Sequence, residues 1–205
     1  MDDRLRIANK VAAVVLAAGL STRMGQPKLL LDWDGKTVIQ TVLETLHNAG
    51  IERIYTVVGA NREAVQECIY SLSFPVETIF NPNYSNGEMT DSIKVGIQSV
   101  QRDAEAVLIV LGDQPQMMAE VIRGVLNAYQ KTGSKIIVPS YQFRRGHPWL
   151  IDRSLWGELE NLNPSYTLRD FLRKHQDEIH YFEVDTPTVL QDLDTPQDYQ
   201  QFKPS

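Results

Sequence analysis

A single cysteine, Cys68, stands in 205 residues, so neither an internal disulfide framework nor a cysteine-rich metal site is available, and its expected role is a small buried apolar side chain. Positive charge is also scarce. Twenty Lys and Arg against 26 Asp and Glu leave a formal net charge of -6, which implies no broad basic surface and excludes a general nucleic-acid binder. An anionic ligand must therefore be met by a few local cations or by a metal. Long apolar runs are missing as well, since no segment approaches the roughly 20 residues needed to span a bilayer. The apolar stretch 11–20 follows Arg4, Arg6 and Lys10 and contains Ala17-Ala18-Gly19, which imitates a signal-peptidase site. Asp2 and Asp3 dilute the basic start, however, so a strand and a cytoplasmic location are expected.

What is present is a hydrophobic fraction of 42%, enough to bury a sizeable core, most simply as one domain over 1–205. Short segments rich in Val, Ile and Leu at 11–16, 53–58, 106–111 and 135–138 read as strands covered on both faces. Helix-like stretches separate them. Thr37 and Gln40 have capping-box spacing ahead of a helix that ends near Gly50, a second helix is expected over 62–72, and a third over 118–132 is stopped by Gly133. This alternation predicts an α/β fold with a mostly parallel, three-layer α/β/α sheet. Residues 75–80 add a candidate strand before the turn-rich run from Asn81 to Gly87, and 89–100 reads as a helix with Met89, Ile93, Ile97 and Val100 inward. Beyond it the pattern is less regular, with candidate strands at 149–151 and 179–184 and short helices around 155–159 and 167–174. The region 141–185 is expected to be an insertion on the sheet rather than a separate domain.

Chemistry concentrates at the ends of the expected strands, where open α/β sheets bind ligands. After the first strand come Gly19, Arg23, Gly25 and Lys28. The glycines allow positive φ and close backbone approach, so with its cations and intervening amides the loop is either a phosphate cradle or an ordinary turn. The loop matches neither the P-loop nor the dinucleotide fingerprint. After the strand 106–111, Gly112 leads to Asp113, either a ligand for Mg²⁺ at nucleotide phosphates or a turn acid. Near the end, Thr195 and Pro196 have the form of a helix cap and first turn. Asp192 and Asp194 fall on one side of the chain if it is extended. Ser92 is either a phosphate contact or a turn residue. Trp33, Trp149 and Trp156 read as core or interface residues.

Five ordered segments carry a family resemblance: Leu16-Ala17-Ala18-Gly19-Leu20-Ser21-Thr22-Arg23-Met24-Gly25 with Lys28; Gly87-Glu88-Met89-Thr90-Asp91-Ser92-Ile93-Lys94-Val95-Gly96; Gly112-Asp113-Gln114-Pro115; Arg144-Arg145-Gly146-His147-Pro148; and Asp192-Leu193-Asp194-Thr195-Pro196. Over nearly all of 11–199 the chain resembles the MobA-like nucleotidyltransferases, particularly the molybdenum cofactor cytidylyltransferase branch. The resemblance implies a Rossmann-like nucleotidyltransferase fold. It implies nucleotide binding by Leu16, Ala17, Ala18, Gly19, Arg23, Lys28, Ser92 and Asp113, with Arg23, Lys28 and Asp113 catalytic. It also implies Mg²⁺ on Asp113 and Asp194, and acceptor binding by Arg144, Arg145 and His147 in the region 141–185. The implied reaction moves CMP from CTP to the terminal phosphate of molybdenum-bound molybdopterin, releasing pyrophosphate, with a molybdenum hydroxylase as client. Ala17-Ala18 resembles the cytidylyl branch, where guanylyl relatives commonly carry Leu-Ala-Gly-Gly. Two alternatives remain open: a sugar- or alcohol-phosphate nucleotidyltransferase, and a noncatalytic cofactor carrier for a hydroxylase such as xanthine dehydrogenase. Without the resemblance, adjacent Arg144 and Arg145 read as a solvated pair, and His147 as a His-Pro turn.

Overall fold

In a computed structural model, residues 8, 10–85, 88–100, 103–162 and 166–204 are described. Arg4 and Arg6 of the export-like start, and Asn86 and Gly87 of the turn-rich run, lie outside them. The strands are β1 (Val11–Ala17), β2 (Asp32–Trp33), β3 (Lys36–Thr37), β4 (Arg53–Val58), β5 (Glu77–Phe80), β6 (Ala106–Leu111), β7 (Ile136–Tyr141), β8 (Arg144–Arg145), β9 (Trp149–Asp152) and β10 (Ile179–Glu183). The helices are α1 (Val38–Asn48), α2 (Arg62–Tyr70), α3 (Met89–Ser99), α4 (Ala119–Thr132), α5 (Trp156–Glu160), α6 (Leu168–Lys174) and α7 (Pro196–Phe202).

The main sheet runs β10-β7-β9-β6-β1-β4-β5, with β8 paired to β7. Its neighbours are parallel except around β9, which is antiparallel to both β6 and β7, and at β8, which is antiparallel to β7. The irregular insertion expected from the sequence is thus partly a strand of the sheet itself. Side chains alternate across β1 because successive Cβ atoms point to opposite faces. Val11, Ala13, Val15 and Ala17 pack with α1, α2 and α4, whereas Ala12 and Val14 pack with α3, α5 and α6. That division makes the three layers. All three tryptophans are buried, as expected.

The helix signals hold at residue level. Thr37 and Gln40 close a capping box on α1, and Thr195 and Asp198 do the same on α7 with Pro196 at its first position. Two expectations need correction. Met89 is half exposed rather than inward, because it opens α3 at the rim of a cavity while Ile93, Ile97 and Val100 enter the core. Cys68 is half-buried, packing on the edge of the core rather than within it.

Among the described residues no helix is long and apolar enough to cross a membrane.

Candidate functional site

The site is built where β1 and β6 end side by side. Gly112 N–H donates to the Leu16 carbonyl at 3.0 Å, and a Cβ at Gly112 would lie 2.8 Å from that oxygen, so this close approach requires glycine. Beyond β1 the chain loops out and is pinned at both sides by buried Met24 and Leu29. Ser21 sits at its turn. Its carbonyl accepts from the Met24 and Gly25 amides, and its hydroxyl accepts from the Lys28 amide at 3.3 Å. Gly25 adopts positive φ (72), but Gly19 does not; Ser21 takes the left-handed conformation instead, at φ 54. A Cβ at Gly19 would meet nothing within 4 Å, so the packing of the loop itself does not require glycine there.

Lys28 points inward from this loop and joins parts of the chain far apart in sequence. Its Nζ donates to Asp113 Oδ2 and lies 3.4 Å from Asp194 Oδ1, while Arg23 reaches Asp194 Oδ2 at 3.0 Å from the exposed side. The Asp192–Asp194 segment is held by Leu193, whose amide donates to the Asp113 carbonyl at 3.1 Å and whose side chain is fully buried. With Leu193 turned to the core, Asp192 and Asp194 both face the cavity, the alternation expected of an extended chain. Asp198 fixes the register by accepting from the amides of Asp194 and Thr195.

These side chains border a cavity of about 340 Å³ that also includes Leu16, Ala17, Ala18, Gly19, Asn81 and Ser92. Ser92 is buried on α3, and its hydroxyl accepts from Asn81 Nδ2 at 3.0 Å. Asp192 accepts from Gln114 Nε2 at 2.5 Å. Burial, reinforced by the neighbouring Asp113 charge, pushes the Asp192 carboxyl up to about 6.

Among the described residues no cluster of three or more His, Cys, Asp or Glu side chains forms a metal cage. Two carboxylates converging on one ammonium are nevertheless a hard oxygen donor pair already directed at a cation. That suits Mg²⁺, which takes one or two protein carboxylates and fills its other positions with water and phosphate.

A second cavity, about 1150 Å³, adjoins the first across Glu88, Met89, Leu111 and Asp192, which border both. Arg144, Arg145 and His147 line it. The Arg145 guanidinium lies over the Tyr181 ring, 5.5 Å from its centroid. The His147 ring stacks on Trp149 at 4.4 Å between centroids, and burial holds its pKa down to about 4 against the opposing effect of a backbone hydrogen bond to Ile109. The structure therefore gathers the residues singled out from the sequence into two adjoining spaces. Sequence reasoning missed Asn81 and Tyr84 in the first, and Phe143, Tyr166, Arg169 and Arg173 in the second. Only the Arg169/Arg173 spacing on one helix face offered a signal for the latter pair.

The molybdenum cofactor cytidylyltransferase of Escherichia coli (strain K12) is 27% identical over 191 residues, covering 92% of this chain and 93% of that protein. A nicotine blue oxidoreductase of Paenarthrobacter nicotinovorans is 28% identical over 194 residues, covering 90% and 92%. Among solved structures, Rv0371c from Mycobacterium tuberculosis H37Rv superposes with a TM-score of 0.81 at 27% identity, covering 96% of this chain and 98% of that one. A complex of Rv0371C with manganese superposes at 0.77. The family model of the MobA-like NTP transferase domain matches residues 13–179, and on that match, with the sheet and paired cavities just described, the chain belongs to the MobA-like family of nucleotidyltransferases.

Proposed function

We propose that the chain transfers CMP from CTP to the terminal phosphate of molybdenum-bound molybdopterin, with Mg²⁺ held by Asp113 and Asp194. The observation that carries this reading is the meeting of Lys28, Asp113, Asp194 and Arg23 at the ends of β1 and β6, beside a larger arginine-lined cavity. Similarity over nearly full length to a molybdenum cofactor cytidylyltransferase supports the acceptor, and the manganese complex of the mycobacterial relative supports a divalent ion.

The reaction needs no protein nucleophile. An acceptor phosphate is already anionic at neutral pH, so the residues must reduce charge repulsion and align the attacking oxygen with the α-phosphorus. The new bond joins that oxygen to the α-phosphorus, the bond from the α-phosphorus to the bridging oxygen breaks, and pyrophosphate leaves with the electron pair. A divalent cation supplies Lewis-acid neutralisation of triphosphate oxygens. With Asp113 and Asp194 engaged by it, Lys28 is left to meet phosphate oxygens together with Arg23. Ser92 and the 16–19 backbone border the nucleotide, while Arg144, Arg145 and His147 receive the acceptor. A single unit over 1–205, a cytoplasmic location and a molybdenum hydroxylase client complete the reading.

The test incubates purified protein with Mg²⁺ and molybdenum-loaded molybdopterin, offers CTP, GTP and ATP separately, and measures pyrophosphate with the nucleotide-linked product. CTP-selective product is expected, and Asp113→Asn should lower Mg²⁺-dependent turnover at least about a hundredfold, a loss of about 2.7 kcal/mol of transition-state stabilisation. Acceptor binding without turnover would indicate a carrier, and turnover only with sugar or alcohol phosphates another transferase; either result rejects the proposal.

A further inference from the structure

Two residues at the second cavity have features that their own packing does not explain. Phe143 is 95% exposed at the tip of the β7–β8 hairpin. Tyr141 pairs with Arg144, so Gln142 and Phe143 are the two central residues of the turn, and both have positive φ, at 48 and 64. Such turns favour Asn-Gly, and a bulky aromatic residue in the left-handed region is an outlier. The ring obtains no burial in return, yet it borders the cavity. Arg169 is the second feature. On α6, Leu168, Phe171 and Leu172 enter the core, leaving Arg169 and Arg173 towards the cavity. Arg173 is paired with Asp170 at 3.0 Å. Arg169 has no hydrogen bond or ion pair among the described residues, and its guanidinium is available to a ligand.

We propose that Phe143 and Arg169 clamp the acceptor, Phe143 by stacking on a planar portion of it and Arg169 by pairing with an anionic group other than the phosphate that attacks the nucleotide. This rests on the assignment of the second cavity to the acceptor. The attacking phosphate has to lie near the wall shared with the nucleotide cavity, at Glu88, Met89, Leu111 and Asp192, and that wall supplies no cation to pair with a second anionic group. Guanidiniums without a hydrogen bond or ion pair among the described residues belong to other elements of the cavity, the hairpin for Arg144 and Arg145 and α6 for Arg169, and a volume of about 1150 Å³ far exceeds what one phosphate fills. The preferred acceptor is therefore a planar compound carrying anionic charge at two separate places. Guanidinium supplies a planar donor fork to the second charge, and an exposed Phe ring supplies a face for stacking.

The test compares Phe143→Ala, Phe143→Trp, Arg169→Gln and Arg169→Lys with wild type in CMP transfer to molybdenum-loaded molybdopterin. Both positions are exposed, so the variants are expected to fold. Phe143→Ala and Arg169→Gln should each raise the acceptor KM about tenfold, while the Kd for CTP, measured by calorimetry without acceptor, stays within twofold. Phe143→Trp and Arg169→Lys should recover part of the loss. Acceptor KM values within twofold of wild type for both Phe143→Ala and Arg169→Gln would overturn the clamp. Should wild type transfer no CMP to that acceptor, the proposed function fails, and the clamp is read instead by fluorescence titration with pyranine, a planar trisulfonated dye. Wild-type binding that weakens in Phe143→Ala and Arg169→Gln sustains the clamp; no wild-type binding, or equal binding by the variants, overturns it.

Discussion

Replacing Lys28 with methionine should convert the site from one that is neutralised by its own ammonium to one whose stability depends on added Mg²⁺. In the folded chain Lys28 Nζ bonds Asp113 and lies 3.4 Å from Asp194, with side-chain exposures of 15%, 19% and 33% for Lys28, Asp113 and Asp194. An opposite-charge pair at such a distance is worth about 4 kcal/mol at an effective dielectric of 20, and removing one partner of a fully buried pair costs about 3–5 kcal/mol. Exposed pairs contribute only about 0.2–1 kcal/mol. This partly screened triad therefore falls between, at about 2 kcal/mol, and for a chain of this size that lowers Tm by about 4–8 °C. If the carboxylates left facing one another bind Mg²⁺ with a Kd of about 1 mM, the ion at about 10 mM returns about 1.4 kcal/mol. Wild type should gain less, because Lys28 competes for the same oxygens. Thermal unfolding of both proteins with and without Mg²⁺ at physiological salt makes the measurement. An unchanged Tm in Lys28→Met, or an equal Mg²⁺ increment in the two proteins, would refute the account of the triad.

The depressed pKa of His147 sets a pH dependence. Held down to about 4 by burial, against an ordinary 6.5, His147 stays neutral where the unfolded chain takes up a proton, so stability is complete above about pH 6.5 and is lost as pH falls towards 4. The contribution is on the order of 3 kcal/mol, and His147→Gln should show a flatter decline of Tm across that interval than wild type. Gly96→Ala tests the packing of α3 on the sheet. The new Cβ would lie 2.3 Å from Val14 Cγ1 and 3.1 Å from Val57 Cγ2, so overpacking of about 1–3 kcal/mol outweighs the better helix propensity of alanine. Calorimetry should find a lower Tm, partly restored by adding Val14→Ala, and no restoration would argue against that contact.

Much of the fold is legible locally. Short β-branched runs between capped, amphipathic segments report a sheet covered on both faces, and the capping pairs Thr37/Gln40 and Thr195/Asp198 depend on residues only three apart. The antiparallel entry of β9 between β6 and β7 is not legible, because a four-residue apolar strand carries no mark of its direction or neighbours. Likewise the open space beside Gly19 and the left-handed conformation of Ser21 follow from how the loop is anchored by Met24 and Leu29, not from glycine spacing.

By itself the sequence determined the element types, the two faces of β1, the limited set of cations and carboxylates available to a ligand, and the ordered motifs of the family. Tertiary structure alone decided which of those charges meet. Lys28 and Asp194 are 166 residues apart along the chain yet 3.4 Å apart in space, and only the parallel pairing of β1 with β6, together with the Leu193 amide bound to the Asp113 carbonyl, closes that interval. It also decided that Phe143, which no local pattern marks, and Arg169, marked only by its helical spacing from Arg173, border one cavity. The physical reason is the same in each case: caps and periodicity act over a few residues, whereas electrostatic and packing partners are selected by strand order and by the depth to which side chains such as Leu193 are buried.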